Sequence, residues 1–83
     1  MMYTINYSEH AVKQIEKLEL ETQRRIITTL ERIRIRPYPH VKKLVENPYF
    51  RLRAGDYRII LDIKESELII LFIEVGHRKK VYK

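Results

Sequence analysis

The stretch "YFRLRAGDYRIILDI", residues 49 to 63, alternates apolar and polar side chains on both sides of a Gly-Asp pair. A period of two places neighbouring side chains on opposite faces of a sheet, so the pattern predicts two strands joined by a tight turn at Gly55-Asp56. On the first strand Phe50 and Leu52 point one way and Arg51 and Arg53 the other. On the second, Arg58 shares a face with Ile60 and Asp62. Arginine is not among the residues that strands favour, yet three fall between positions 51 and 58 and can converge on one sheet surface.

Downstream, "ELIILFIEV" (67–75) reads as a third strand after a turn near Glu65-Ser66. It is apolar on both faces, which predicts an interior strand covered by helices on one side. Upstream, Lys42 to Pro48 read as a connecting loop. "RPYPH" (36–40) stops a helix, because proline cannot donate to the ladder and disfavours helical geometry in the residue before it. Ahead of it, Ala11, Val12, Ile15 and Leu18, and then Ile26, Ile27, Leu30 and Ile33, keep helical spacing on either side of "ELET". Two helices in a hairpin explain both stripes, with the break between Glu19 and Thr22 and Thr22 as a candidate second cap. One long helix is the competing reading, since no Gly or Pro forces the break. Ser8 suits the first N-cap, Glu9 follows where negative charge favours a helix start, and "YTINY" (3–7) reads as a strand. The expectation is an α+β fold of order β-α-α-β-β-β, an antiparallel-rich sheet packed against an N-terminal helical hairpin, forming one small domain over residues 1–83.

Composition narrows the function. The chain has no cysteine, so neither disulfides nor a thiolate metal site stabilise it, and a reducing compartment is expected. The longest apolar run, "LIILFI" at 68–73, is far too short for a membrane helix. "MMYTINYSEH" lacks the basic start and apolar stretch of a signal peptide. These features predict a cytoplasmic protein without membrane partners. Lysine and arginine total 17 against 11 acids, a net charge of +6. The excess is local: residues 32–58 hold eight bases and two acids, residues 76–83 four bases and no acid, and the remainder five bases and nine acids. A basic surface on an acidic body is the electrostatic footprint of a polyanion binder, with nucleic acid the leading partner.

The chemistry available is sparse. His10, His40 and His77 lack metal-ligand spacing, Ser8 and Ser66 fit a cap and a turn, and no Gly-rich phosphate loop occurs. An enzyme built from these residues supplies neither nucleophile nor metal. RNA, however, carries its own nucleophile in the 2′-hydroxyl, and is cut by in-line attack if a protein orients the backbone and stabilises charge on phosphorus. Arginine forks match phosphate oxygens and stay charged. The plainer alternative is that Arg51, Arg53 and Arg58 only cover a sheet face with their stems. After the last strand, "VGHRKKVY" (75–82) offers a glycine bend that presents His77 and Arg78, and histidine is the side chain that changes charge near neutrality. Tyr82 is suited either to stacking on a base or to anchoring the tail in the core.

L-R-x-G-D-Y-R and V-G-H-R-x-x-V-Y, with two helices before them and a "KKL" loop between, resemble the RelE/ParE superfamily of prokaryotic toxins, over almost the whole chain. The resemblance is closest to RelE. It implies cleavage of mRNA in the ribosomal A site by 2′-hydroxyl attack, without metal or cofactor, and a cognate RelB-like antitoxin in a toxin–antitoxin hetero-oligomer. By the same resemblance Arg58 is the phosphate-stabilising arginine, Arg78 serves the transition state or leaving group, and Tyr82 orients the substrate. Arg51, Arg53, Lys42, Lys43, Lys79 and Lys80 form the RNA-binding set. Arg51 and Arg53 stand where better-known bacterial members carry lysines, and arginine does not give up its proton. Proton abstraction then falls to His77, Tyr82, Lys43 or water, with His77 preferred. No helix is expected after Tyr82, which argues against an antitoxin that acts by displacing one. Two rival functions remain open: a ParE-like inhibitor of DNA gyrase, and a non-catalytic nucleic-acid-binding module with salt-sensitive affinity.

Overall fold

A computed structural model describes residues 2–77; Arg78, Lys79, Lys80 and Tyr82 lie outside the described residues. The chain runs β1 (Thr4–Tyr7), α1 (Glu9–Glu16), α2 (Leu20–Arg32), a 3-10 turn at Tyr38–His40, β2 (Val41–Lys43), β3 (Phe50–Ala54) and β4 (Tyr57–Lys64). A second 3-10 turn at Glu65–Glu67 leads into β5 (Ile69–His77). The five strands form one sheet in the order β1-β5-β4-β3-β2. β1 lies parallel to β5 and every other pairing is antiparallel. This is the expected α+β architecture with one strand more than expected.

The added strand is β2, taken from residues that read as loop. Val41, Lys42 and Lys43 pair with Leu52, Arg51 and Phe50. Three residues are too few to show alternation, and lysine is depleted in strands. It is common on edges, where its charge discourages further pairing. The second helix also starts differently. Its N-cap is Glu19, extended and without a side-chain cap, so Thr22 is not the cap but sits inside the first turns. The break between the helices is held instead by Gln23, whose side-chain amide donates to the Leu18 carbonyl at 2.8 Å.

Both helices lie on one face of the sheet. Ala11 and Ile15 of α1 and Ile26 and Leu30 of α2 join Leu52, Ile59, Leu61, Ile70 and Phe72 in a single buried cluster. Burial of each large apolar side chain contributes roughly 1.5–3 kcal/mol. Val12, counted in the first stripe, is instead exposed at the margin. Arg34 closes the far edge: the Tyr3 N–H donates to the Arg34 carbonyl at 2.8 Å, and the Arg34 Nε donates to the Tyr3 carbonyl at 2.8 Å.

β5 contains a bulge. Ile60 pairs with Glu74 but Leu61 pairs with Phe72, so Ile73 is an extra residue in the strand. The backbone groups it disturbs are met by α1. Ser8, the helix N-cap, accepts from the Ala11 N–H at 3.0 Å and donates to the Ile73 carbonyl at 2.8 Å. The Val75 N–H donates to Gln14 Oε1 at 2.7 Å.

Candidate functional site

The face of the sheet turned away from the helices carries the cations. Leu52 and Ala54 of β3 and Ile59 and Leu61 of β4 enter the core, which leaves Arg51, Arg53, Arg58 and Ile60 on the opposite side by alternation. The register then brings them side by side. Lys42 faces Arg51 across β2 and β3, Arg51 faces Ile60, and Arg53 faces Arg58 across β3 and β4. Lys42, Arg51, Arg53 and Arg58, together with His40 from the end of the 3-10 turn, line a cleft of about 180 Å³.

Two like-charged pairs directly opposite each other weaken a sheet, by an amount comparable to the 0.2–1 kcal/mol that favourable pairs add. Like charges at adjacent ladder positions are a local cost of the kind that functional sites carry, and they make this face attractive to an anion. The stem-covering alternative is also realised in part: Ile60 is 7% exposed although it faces away from the helices, and in the ladder it lies between Arg51 and Glu74, whose stems are long enough to cover it.

The hairpin that aligns Arg53 with Arg58 depends on Gly55. Its φ is +63°, the left-handed value that a two-residue turn needs at its first central position. A Cβ there would also stand 2.8 Å from Arg25 Nη1, which lies over the turn from α2. Gly55→Ala therefore costs about 1–2 kcal/mol and displaces the Arg25 head. Urea unfolding checks it, with an unchanged midpoint as the contrary result.

Not every residue expected at the site is there. Lys43 pairs with Phe50 and its Nζ sits 5.7 Å from the centre of that ring, on the face opposite Arg51. Strict alternation within β2 separates it from Lys42. His77 is the last residue of β5, paired with Tyr57, and the two rings meet edge to face at 5.7 Å. Tyr57 packs against the core, so His77 shares the helical face of the sheet, while its neighbour Gly76 is the residue paired with Arg58. The histidine on the arginine face is His40. In the sequence it sat inside "RPYPH", whose prolines read only as a helix stop, and no local pattern linked it to strands ten or more residues away. Tyr38, two residues earlier, donates its hydroxyl to Glu65 at 3.1 Å. Burial and that hydrogen bond raise its hydroxyl above the ordinary range, which keeps it a donor. Among the described residues no group of three or more His, Cys, Asp or Glu is placed to hold a metal ion, and no helix is long and apolar enough to cross a membrane.

A model of the family described as the ParE toxin of type II toxin–antitoxin systems matches residues 5–82. The chain belongs to this ParE toxin family. The toxin is also 28% identical to an Escherichia coli protein described as a RelE-like toxin, over 96% of this chain and 87% of that one. In fold it is similar to a chain of the toxin–antitoxin complex RelBE2 of Mycobacterium tuberculosis, with a TM-score of 0.87 at 21% identity, covering 94% of the toxin and 100% of that chain. A chain of the archaeal RelE–RelB complex of Pyrococcus horikoshii gives a TM-score of 0.82 at 24% identity, over 96% and 99%. The toxin is thus a RelE/ParE-superfamily member of a type II toxin–antitoxin system, with the small α+β fold of the RelE structures.

Proposed function

We propose that the toxin is a ribosome-dependent endoribonuclease that cuts mRNA in the A site by attack of the RNA's own 2′-hydroxyl. The observation that supports it most directly is the cleft in which Arg51, Arg53, Arg58 and Lys42 converge with His40. Guanidinium forks on a rigid sheet are preorganised to hold a phosphodiester and to stabilise the charge that builds on its oxygens during in-line attack. With the nucleophile in the substrate and the positive charge in the protein, the reaction requires neither metal nor cofactor. Arg78 and Tyr82 are assigned the remaining roles in this reading, as a transition-state donor and a substrate-orienting ring, and Lys79 and Lys80 add to the charge that attracts RNA. A site with so few proton-transfer groups gains most when its substrate arrives prearranged. The ribosome supplies that arrangement.

The partner in this reading is a RelB-like antitoxin that forms a hetero-oligomer with the toxin in the cytoplasm. In support, chains of similar fold come from toxin–antitoxin complexes of Mycobacterium tuberculosis, Pyrococcus horikoshii and Escherichia coli. A basic face calls for an acidic, amphipathic segment, whose charge gives fast capture and excludes RNA.

Inhibition of DNA gyrase is the second reading, favoured by the ParE description of the matching family. One experiment separates the two. Mapping mRNA ends in a translation extract, with and without the toxin, is expected to give new ends at a fixed position within codons, and none on the same mRNA without ribosomes. Intact mRNA, together with loss of supercoiling when the toxin is added to gyrase, would reverse the choice.

A further inference from the structure

Within the cleavage reading, on which this inference rests, the cleft poses a proton problem. Arginine and lysine side chains are donors without an acceptor lone pair in their charged forms. Of the five described residues lining the cleft, four are Lys42, Arg51, Arg53 and Arg58. They grip a phosphate but take no proton from a hydroxyl. The fifth is His40, and a neutral imidazole nitrogen is the one acceptor among these side chains.

We propose that His40 takes the proton of the attacking 2′-hydroxyl. The 2′-oxygen forms a bond to phosphorus, the bond from phosphorus to the 5′-oxygen breaks, and the leaving oxygen takes a proton from water. The products are a 2′,3′-cyclic phosphate and a 5′-hydroxyl, with no oxidant or further reactant. The groups around His40 suit this role. It ends the 3-10 turn Tyr38–His40, directly before β2 and two residues ahead of Lys42. Arg51 and Arg53 reach the cleft from β3 and Arg58 from β4, so a phosphate held by them lies within the cavity that the imidazole lines. On its own turn the Tyr38 hydroxyl is already committed to Glu65. Further along the same face of β4, Asp62 pairs with Lys64 at 3.7 Å, which leaves that carboxylate engaged outside the cleft. His77, the histidine that the tail motif brings forward, is turned to the other face with Tyr57.

Single-turnover cleavage of mRNA on programmed ribosomes, measured from pH 5.5 to 8 with ribosome integrity followed in parallel, tests the assignment. The wild-type rate is expected to rise with pH across the range in which histidine loses its proton. His40→Gln keeps the ribosome affinity and the melting temperature, since the residue is exposed. At the upper end of the range it lowers the rate by about 100-fold and leaves a flat profile. His77→Gln keeps the rising limb. A limb that persists in His40→Gln, or one that disappears in His77→Gln instead, overturns the assignment while leaving the cleavage reading intact. A wild-type toxin that cuts nothing at any pH overturns both.

Discussion

Replacing Arg58 with alanine lowers the single-turnover cleavage rate on programmed ribosomes by about two to three orders of magnitude, with ribosome binding reduced far less. Arg58 stands at the centre of the cationic face, opposite Arg53 on one side and Gly76 on the other. Gly76 has no side chain to crowd it, and the Arg58 Nη1 is shielded from solvent. A guanidinium group already withdrawn from water needs little reorganisation when charge develops on the phosphate, and loss of one such donor typically costs about 2.7–4 kcal/mol. Arg51, Arg53 and Lys42 still attract the RNA backbone in the mutant, so affinity depends on the remaining charge while rate depends on aim. Arg58→Lys restores the charge without the planar fork and is expected to recover only part of the loss. An Arg58→Ala toxin with a wild-type rate would remove this residue from the chemistry and leave it as a cover for the sheet.

Phe72→Ala is expected to remove about 3–5 kcal/mol of stability. In a domain of this length the total is on the order of 4–12 kcal/mol, so much of the protein unfolds at moderate urea. The ring is completely buried in the middle of β5, within the cluster that side chains of both helices join, and it meets Tyr7 from β1 at 5.6 Å. Few neighbours can shift to fill the space, because it is bounded by a sheet on one side and two short helices on the other. Equilibrium urea unfolding followed by circular dichroism measures the effect. A loss below about 1 kcal/mol would mean that the core is not packed around this residue.

The hairpin of β3 and β4 was legible because it is long, alternating and punctuated by Gly55-Asp56, and the same alternation put Arg51, Arg53 and Arg58 on one face. Lys42 and Lys43 were not separable from sequence. Their opposite roles appear only once β2 is paired to β3, and a three-residue edge strand carries too little pattern to announce itself. Thr22 was a plausible cap by residue type, but the chain turns three residues earlier, where partly buried Leu18 packs against the core and Gln23 ties the break. The position of His40 depends on a turn and a register formed with distant strands, and composition holds no trace of either. For the tail motif the side on which each residue falls was hidden for another reason. Strict alternation from Phe72 sends Glu74 inward and Val75 outward, against their chemistry, and only the bulge at Ile73 resolves the conflict.

That bulge governs how this toxin is to be aligned with its relatives. Because Ile73 has no partner of its own in β4, a chain one residue shorter between the counterparts of Phe72 and Val75 still presents Glu74, Gly76 and His77 on the same sides. A chain one residue shorter anywhere else in β5 exchanges them. A gap in this strand therefore belongs at Ile73 whenever the neighbouring identities are ambiguous, and a relative that lacks the extra residue has no need of an acceptor at the position of Gln14 and needs the position of Ser8 only as a helix cap. Insertions, deletions and the polar residues of α1 thus form one correlated character, readable in sequences alone.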